Sequence, residues 1–437
     1  FFKYVSQNIL AMIGLSLYIL ADTYFISKAV GANGITALNM ALPVYGVIFA
    51  LGQMVGVGSA IRYSIVKEQY RNSNKDGSNE CDKYFSGALF WGLVIGVIFA
   101  VLGLVFPDKI VEIMGGDETI VAIGVPYFRI FMSFSPFFIF NYTCNAFVRN
   151  DGNPSVSMAA TLISSLFNIV FDYILMFPLG MGMPGAALAT ALSPVVGVMI
   201  CMIHFLSKKN TVKFKWFKTS LTRLFHCCQV GMSAFVGEMS GAVIVMVFNF
   251  IILRLTGNIG VAAYGVVANT ALVAVAVFNG VALGSQPLIS ESYGKHNIKD
   301  IKLIEKLGVA TALGLAVIIV IMIWGFTDTI VGVFNSQGSD RLLSLARVGL
   351  RIYFIGFLFA GINIFCSSAL SAIASVKWAF VLSILKGFVV VNVCAAILAP
   401  IFGMNGVWVA FPLSEFILLI VSGFAMKKSI GALESER

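Results

Sequence analysis

Asp22, Asn168, Asp172 and Thr190 place two carboxylates, an amide and a hydroxyl inside segments that are otherwise apolar. A charged side chain at bilayer depth costs about 2.5–3.5 kcal/mol on insertion scales, so it persists where it serves an ion pathway, a substrate site or a partner. Asn168 and Asp172 are four residues apart and share one helix face, one turn from each other. Asp22 lies about five residues, or about 8 Å, before the outer end of its segment. Asp172 lies a similar distance before Pro178, and Thr190 a similar distance after Pro184. The four side chains can therefore meet at one level. Carboxylate, amide and hydroxyl oxygens are hard ligands suited to Na⁺, and two close carboxylates can instead share a proton. Asn and Thr alone would read as ordinary hydrogen bonds between neighbouring helices; the matched depth of two aspartates favours an ion site.

Glu238, Lys386 and Glu415 form a second set of charged residues inside apolar segments. One carboxylate can pair with Lys386 and leave the other to titrate, or the charges can serve only to tie helices together. The seven cysteines and three histidines show no metal-ligand spacing, and Cys227 and Cys228 beside His226 read as a basic helix end. Neither a disulfide nor a bound transition metal is expected. There is no Walker loop and no paired nucleophile and base, so the chain is expected to be no enzyme and to need no cofactor.

The elements that must position these residues follow from composition. Of 437 residues, 59% are hydrophobic and 11% charged, and the mean hydropathy of +0.94 exceeds what a soluble core needs. Apolar runs long enough to cross a bilayer lie near 3–27, 35–66, 82–106, 120–148, 155–177 and 184–206 in the first half. In the second half they lie near 224–255, 261–293, 301–326, 340–370, 377–399 and 404–426. The prediction is an all-α integral membrane protein with twelve transmembrane helices. The first of them would serve as the insertion signal.

The net charge of +9 does not point to nucleic acid, because the basic residues alternate with the loops. With the N-terminus in the cytoplasm, the inner loops and ends hold Lys3, Arg62, Lys67, Lys83, Arg149, Lys208, Lys209, Lys213, Lys215, Arg223, Lys295, Lys299, Lys377, Lys427 and Lys428 among others. The outer loops hold only Lys28, Lys109, Arg254 and Arg341. This positive-inside pattern predicts a multi-pass protein of the cell membrane with both termini cytoplasmic. Acidic phospholipid headgroups are the expected partners of Lys208 to Lys218, a stretch interleaved with Phe214, Trp216 and Phe217.

An internal repeat organises the chain. The turns Gly31-Ala32-Asn33-Gly34 and Gly257-Asn258-Ile259-Gly260 sit about 226 residues apart, and Pro178 and Pro400, like Gly185 and Gly406, about 222 apart. Six helices per half give parallel, pseudo-symmetric repeats: a bundle over 1–206, a basic cytoplasmic linker over 207–222 and a bundle over 223–437.

In order and spacing, several short motifs resemble the multidrug and toxic compound extrusion (MATE) family, in its DinF-like and MepA-like bacterial branch. They are Leu20-Ala21-Asp22-Thr23, Gly56-Val57-Gly58-Ser59, Asn145-Ala146-Phe147-Val148-Arg149 with Gly152-Asn153-Pro154, and Asn168 with Asp172. Gly185-Ala186-Ala187-Leu188-Ala189-Thr190 and Gly284-Ser285-Gln286-Pro287-Leu288-Ile289 complete the set. The resemblance implies a secondary antiporter that exports amphipathic or cationic organic compounds in exchange for Na⁺ or H⁺ by alternating access. It assigns the cation site to Asp22, Asn168, Asp172 and Thr190. Many relatives carry a Pro where this chain has Gln7, and one branch pairs a glutamate matched by Glu238 with an aspartate where this chain has Asn363. The expected partners are small organic molecules and membrane lipids, with the chain a monomer. The alternatives are a lipid or lipid-linked precursor flippase of the same superfamily and, more remotely, a passive channel.

Overall fold

The computed structural model describes residues 1–73, 78–114, 116, 118–217, 220–334 and 339–435; Lys218, in the basic linker, lies outside them. The described residues are helical almost throughout. The first half contains α1 (Phe2–Ala29), α2 (Ala32–Asn72), α3 (Ser78–Val105), α4 (Pro107–Ile113), α5 (Glu118–Ser133), α6 (Ser135–Asn150), α7 (Pro154–Met176) and α8 (Met183–Phe205). The second contains α9 (Leu221–Thr256), α10 (Asn258–Gly294), α11 (Ile298–Gly325), α12 (Thr327–Phe334), α13 (Asp340–Tyr353), α14 (Phe357–Ala372), α15 (Val376–Ile384), α16 (Val390–Phe402) and α17 (Met404–Ser435). Among the described residues, 11 helical spans are long and apolar enough to cross a membrane, and 12 when α5 and α6 count as one bent span.

The departures from uniform spans have local causes. Between α5 and α6 the axis turns by 46°. Pro136 stands in the first turn of α6 and has no N–H to give, while the Ser135 hydroxyl caps the Met132 carbonyl at 2.7 Å. The equivalent break in the second half is the 3₁₀ turn Phe354–Gly356 between α13 and α14. α15 passes into α16 through a π-helical turn, Leu385–Val389, which carries Lys386. Gly387 lies within that turn, where an added Cβ would come 2.0 Å from Ser240 Cβ. α1 continues unbroken through Gln7, whose amide donates to Ser155 Oγ at 2.9 Å.

The repeat is visible in the backbone. Gly31 (φ 82°, ψ −158°) starts α2 and Gly257 (φ 69°, ψ −158°) starts α10, while Gly182 (φ 57°, ψ −132°) and Gly403 (φ 59°, ψ −136°) precede α8 and α17. These values lie where a side chain is strained, so glycine recurs at each turn. The short α4 after α3 is matched by α12 after α11.

The chain divides into two compact units, one of Ser6–Phe235 and one of Val236–Arg437 with Phe1–Val5. In the Ser6–Phe235 unit the core is aromatic, with the Tyr45 and Phe131 rings stacked at 3.6 Å and Phe128, Phe138 and Ile139 around them. Gly58 and Gly231 allow α2 and the start of α9 to touch, since a Cβ on Gly58 would lie 2.1 Å from the Cys227 carbonyl oxygen and one on Gly231 would lie 2.0 Å from that of Met54. The other unit packs Phe248, Phe278, Tyr353, Phe357 and Trp408, with Tyr353 and Phe411 stacked at 4.1 Å. The exterior is apolar too: Leu93, Val97, Ile98, Val101 and Leu104 of α3 are exposed, as lipid-facing side chains should be.

Candidate cation site

Asp22 lies on α1 seven residues before Ala29, Asn168 and Asp172 lie on α7, and Thr190 lies on α8. All four are buried, Asn168 and Asp172 completely. With the Asn168 amide oriented to satisfy both neighbours, Nδ2 donates to Asp172 Oδ2 at 3.1 Å and Oδ1 accepts from the Thr190 N–H at 3.2 Å. The same end of the amide faces the Thr190 hydroxyl at 3.3 Å. Asn168 thus ties α7 to α8 and presents Asp172. Asp22 and Asp172 lie within electrostatic reach of each other.

Each aspartate keeps one buried oxygen, Asp22 Oδ1 and Asp172 Oδ1, without a hydrogen-bond donor. A buried carboxylate oxygen left unpaired costs about 1–3 kcal/mol or more. Two such oxygens on neighbouring like charges are an unfinished coordination shell, which a cation or a proton would complete. Tyr45 and Tyr127 lie in the same electrostatic neighbourhood and hydrogen-bond each other at 2.8 Å. Their spacing carries no signal that marks them in the sequence, since Tyr in an apolar helix reads as packing.

The second charged set is only partly assembled. Asn363 Nδ2 donates to the Glu415 backbone carbonyl at 2.9 Å and to its carboxylate Oε2 at 2.7 Å. Ser422 Oγ donates to Asn363 Oδ1 at 2.7 Å, and Lys386 Nζ stands 4.0 Å from Glu415 Oε1. Glu415 is therefore the carboxylate that pairs with Lys386, while Glu238 is exposed on α9. The site that Asn363 occupies is a filled polar network.

A third cluster was not anticipated. Asp151, in the turn between α6 and α7, accepts from Tyr63 Oη at 2.6 Å, Lys67 Nζ at 2.8 Å, the Thr211 N–H at 2.9 Å and the Thr211 hydroxyl. His204 Nε2 lies 3.0 Å from its second oxygen, and Asn153 Nδ2 faces His204 Nδ1 at 3.2 Å. That arrangement makes Nδ1 the acceptor and Nε2 the nitrogen bearing the proton toward Asp151. Burial alone would raise the Asp151 carboxyl, but its hydrogen bonds to His204, Lys67 and Thr211 and the Lys67 charge outweigh it and hold the group well below the usual carboxylate range. Among the described residues no three His, Cys, Asp or Glu side chains gather to hold a metal, and all seven cysteines are free thiols.

The family model MatE matches residues 8–174 and 234–401, two segments that begin 226 residues apart and contain both Asp22 and the Asn168–Asp172 pair. The chain belongs to the MatE family. Multidrug export protein MepA of Staphylococcus aureus (strain bovine RF122 / ET3-1) is 26% identical over 415 residues, covering 93% of this MatE chain and 88% of MepA. MepA of Staphylococcus saprophyticus is 24% identical over 411 residues, again covering 93% and 88%. Among solved structures, the outward-facing conformation of a multidrug resistance MATE family transporter of the MOP superfamily superposes with a TM-score of 0.92 at 22% identity, covering 99% of this chain and 96% of the other. A MOP superfamily transporter from Pyrococcus furiosus gives a TM-score of 0.90 at 22% identity, covering 99% and 96%. These likenesses establish the fold as that of MATE transporters, an all-helical multi-pass membrane architecture.

Proposed function

We propose that this MatE protein is a multidrug efflux antiporter that exports amphipathic or cationic organic compounds in exchange for Na⁺ or H⁺. The observation that carries the reading is the pair of buried aspartates, Asp22 and Asp172, each with an oxygen lacking a donor, in a chain whose relatives are multidrug export proteins. It is a transporter and not an enzyme, and its coupling ion is cargo. An entering cation would find the Asp22 and Asp172 carboxylates, the latter held by Asn168, which Thr190 in turn braces. Its charge offsets the repulsion between them, so the occupied and empty states differ in electrostatic free energy. Ion binding drives alternating access to the extent that this site holds the ion more tightly in one conformation than in the other.

The Thr190 hydroxyl and the Asn168 amide, whose oxygen would turn from the Thr190 N–H toward the ion, favour Na⁺, which needs several ligands at once, over H⁺, which needs only one carboxylate. Both termini and the 207–222 linker are assigned to the cytoplasm on the positive-inside pattern. Isothermal titration with Na⁺ at high pH is expected to show saturable binding that weakens about fivefold in Asn168→Ala, the loss of one neutral hydrogen-bonding ligand worth about 1 kcal/mol. Absence of any saturable Na⁺ response, alongside transport driven by a pH gradient alone, would move the coupling ion to H⁺.

A further inference from the structure

A cavity of about 690 Å³ lies within the Ser6–Phe235 unit, between the first half of α3, the middle of α6, the end of α8, the start of α9 and the linker. The linker is held against α3 by sequence-specific contacts: the Lys213 N–H donates to Asp82 Oδ1 at 2.8 Å and the Lys215 N–H donates to Ser86 Oγ at 3.0 Å. One end of the cavity is cationic. Lys83, Lys213, Lys215 and Arg223 line it, and the carboxylates that pair with them among the described residues are Glu80 and Asp82. Lys215 Nζ pairs with Asp82 at 2.7 Å, while Lys83 and Arg223 share Glu80, so that among these six residues positive charge exceeds negative by two.

The other end is apolar, lined by Phe90, Trp91, Leu93, Phe140 and Met202. Phe90 stands seven residues beyond Lys83 on α3, about 10 Å along the axis. Phe90, Leu93, Val97 and Val101 follow one another on one face of α3, all exposed, so the apolar wall runs on into the lipid-facing surface. A cationic mouth with an apolar floor 10 Å deeper, open to lipid, matches a molecule with an anionic head and hydrocarbon tails. A cationic drug would meet the wrong charge.

We propose that this groove holds an anionic phospholipid of the cytoplasmic leaflet, its phosphate among Lys83, Lys213, Lys215 and Arg223 and an acyl chain along Phe90 and Leu93. The proposal rests on the assignment of the linker to the cytoplasm. A lipid seated there would contact both α3 and the linker and so would fasten the linker to the bundle.

The test uses the full-length protein in detergent, titrated with phosphatidylglycerol or phosphatidylcholine brominated on the acyl chains, because bromine quenches nearby tryptophan. Phosphatidylglycerol is expected to quench saturably, with phosphatidylcholine at least about tenfold weaker. The saturable part should vanish in the Trp91→Phe, Trp216→Phe double variant and shift about tenfold to higher lipid in Lys213→Gln, whose side chain is exposed and which keeps the backbone N–H that binds Asp82. Equal quenching by both lipids, or saturable quenching that survives in the double variant, would overturn the assignment. So would displacement of the phosphatidylglycerol signal by ethidium, which would make the groove an entry port for cations. Lys213→Gln touches none of the four ion-site residues, so ion-driven export by that variant reports on the transport reading separately, and labelling of the linker reports on its sidedness.

Discussion

Asn363 donates one amide group to two oxygens of Glu415, the backbone carbonyl at 2.9 Å and the carboxylate at 2.7 Å, and so fastens α14 to α17 inside the second unit. The Ser422 hydroxyl completes the amide from its other side. Glu415 is buried, and Lys386 at 4.0 Å is too far for a strong charge-assisted hydrogen bond. The amide is the closer partner of the carboxylate.

Asn363→Ala removes that partner and leaves a buried carboxylate underserved, so it should lower stability by about 1–3 kcal/mol. Ser422→Ala, which takes one donor from a neutral oxygen, should cost about 1 kcal/mol. Thermal unfolding of the purified variants in detergent checks both. Equal melting temperatures for Asn363→Ala and the wild type would show that the network holds nothing together.

Asp151 gives a pH-dependent prediction. Its carboxyl is held below the ordinary value of about 3.9, so the hydrogen bonds with Lys67, His204 and Thr211 add stability that is complete above about pH 4 and is lost as the pH falls through the acid range. Asp151→Asn should melt lower than the wild type at pH 7, and the gap should shrink as the pH drops below about 4. A gap that stays constant over that range would mean the carboxylate charge is not what binds Thr211 and the linker.

How far the sequence discloses the molecule depends on what kind of interaction is read. Span positions are legible because a bilayer demands about 20 apolar residues, and the helix boundaries fall within a few residues of those expected except where helices run on past the lipid, as α2 does to Asn72 and α17 to Ser435. The bend at Phe134 and the π-helical turn at Lys386 were not foreseen, since both depend on packing that hydropathy does not encode. Asn168 and Asp172 were legible through their four-residue spacing. The Asp151 network was not, because its members come from positions 63, 67, 151, 204 and 211, which no periodicity connects.

Sidedness is tested by a single cysteine. In a cysteine-free background carrying Lys215→Cys, an impermeant thiol reagent added outside intact cells should leave position 215 unlabelled, and permeabilisation should expose it. Labelling in intact cells would place the linker outside and invert the assigned topology.

The most direct test of ion-coupled export is dye transport in proteoliposomes under imposed Na⁺ or H⁺ gradients, compared between wild type, Asp22→Asn and Asp172→Asn at matched protein content. Each substitution nearly preserves shape while removing the charge that draws the cation. The expected outcome is that the wild type transports with at least one gradient and that both variants, folded and inserted, fall to the rate of protein-free vesicles. Wild-type rates in Asp172→Asn or Asp22→Asn would contradict it.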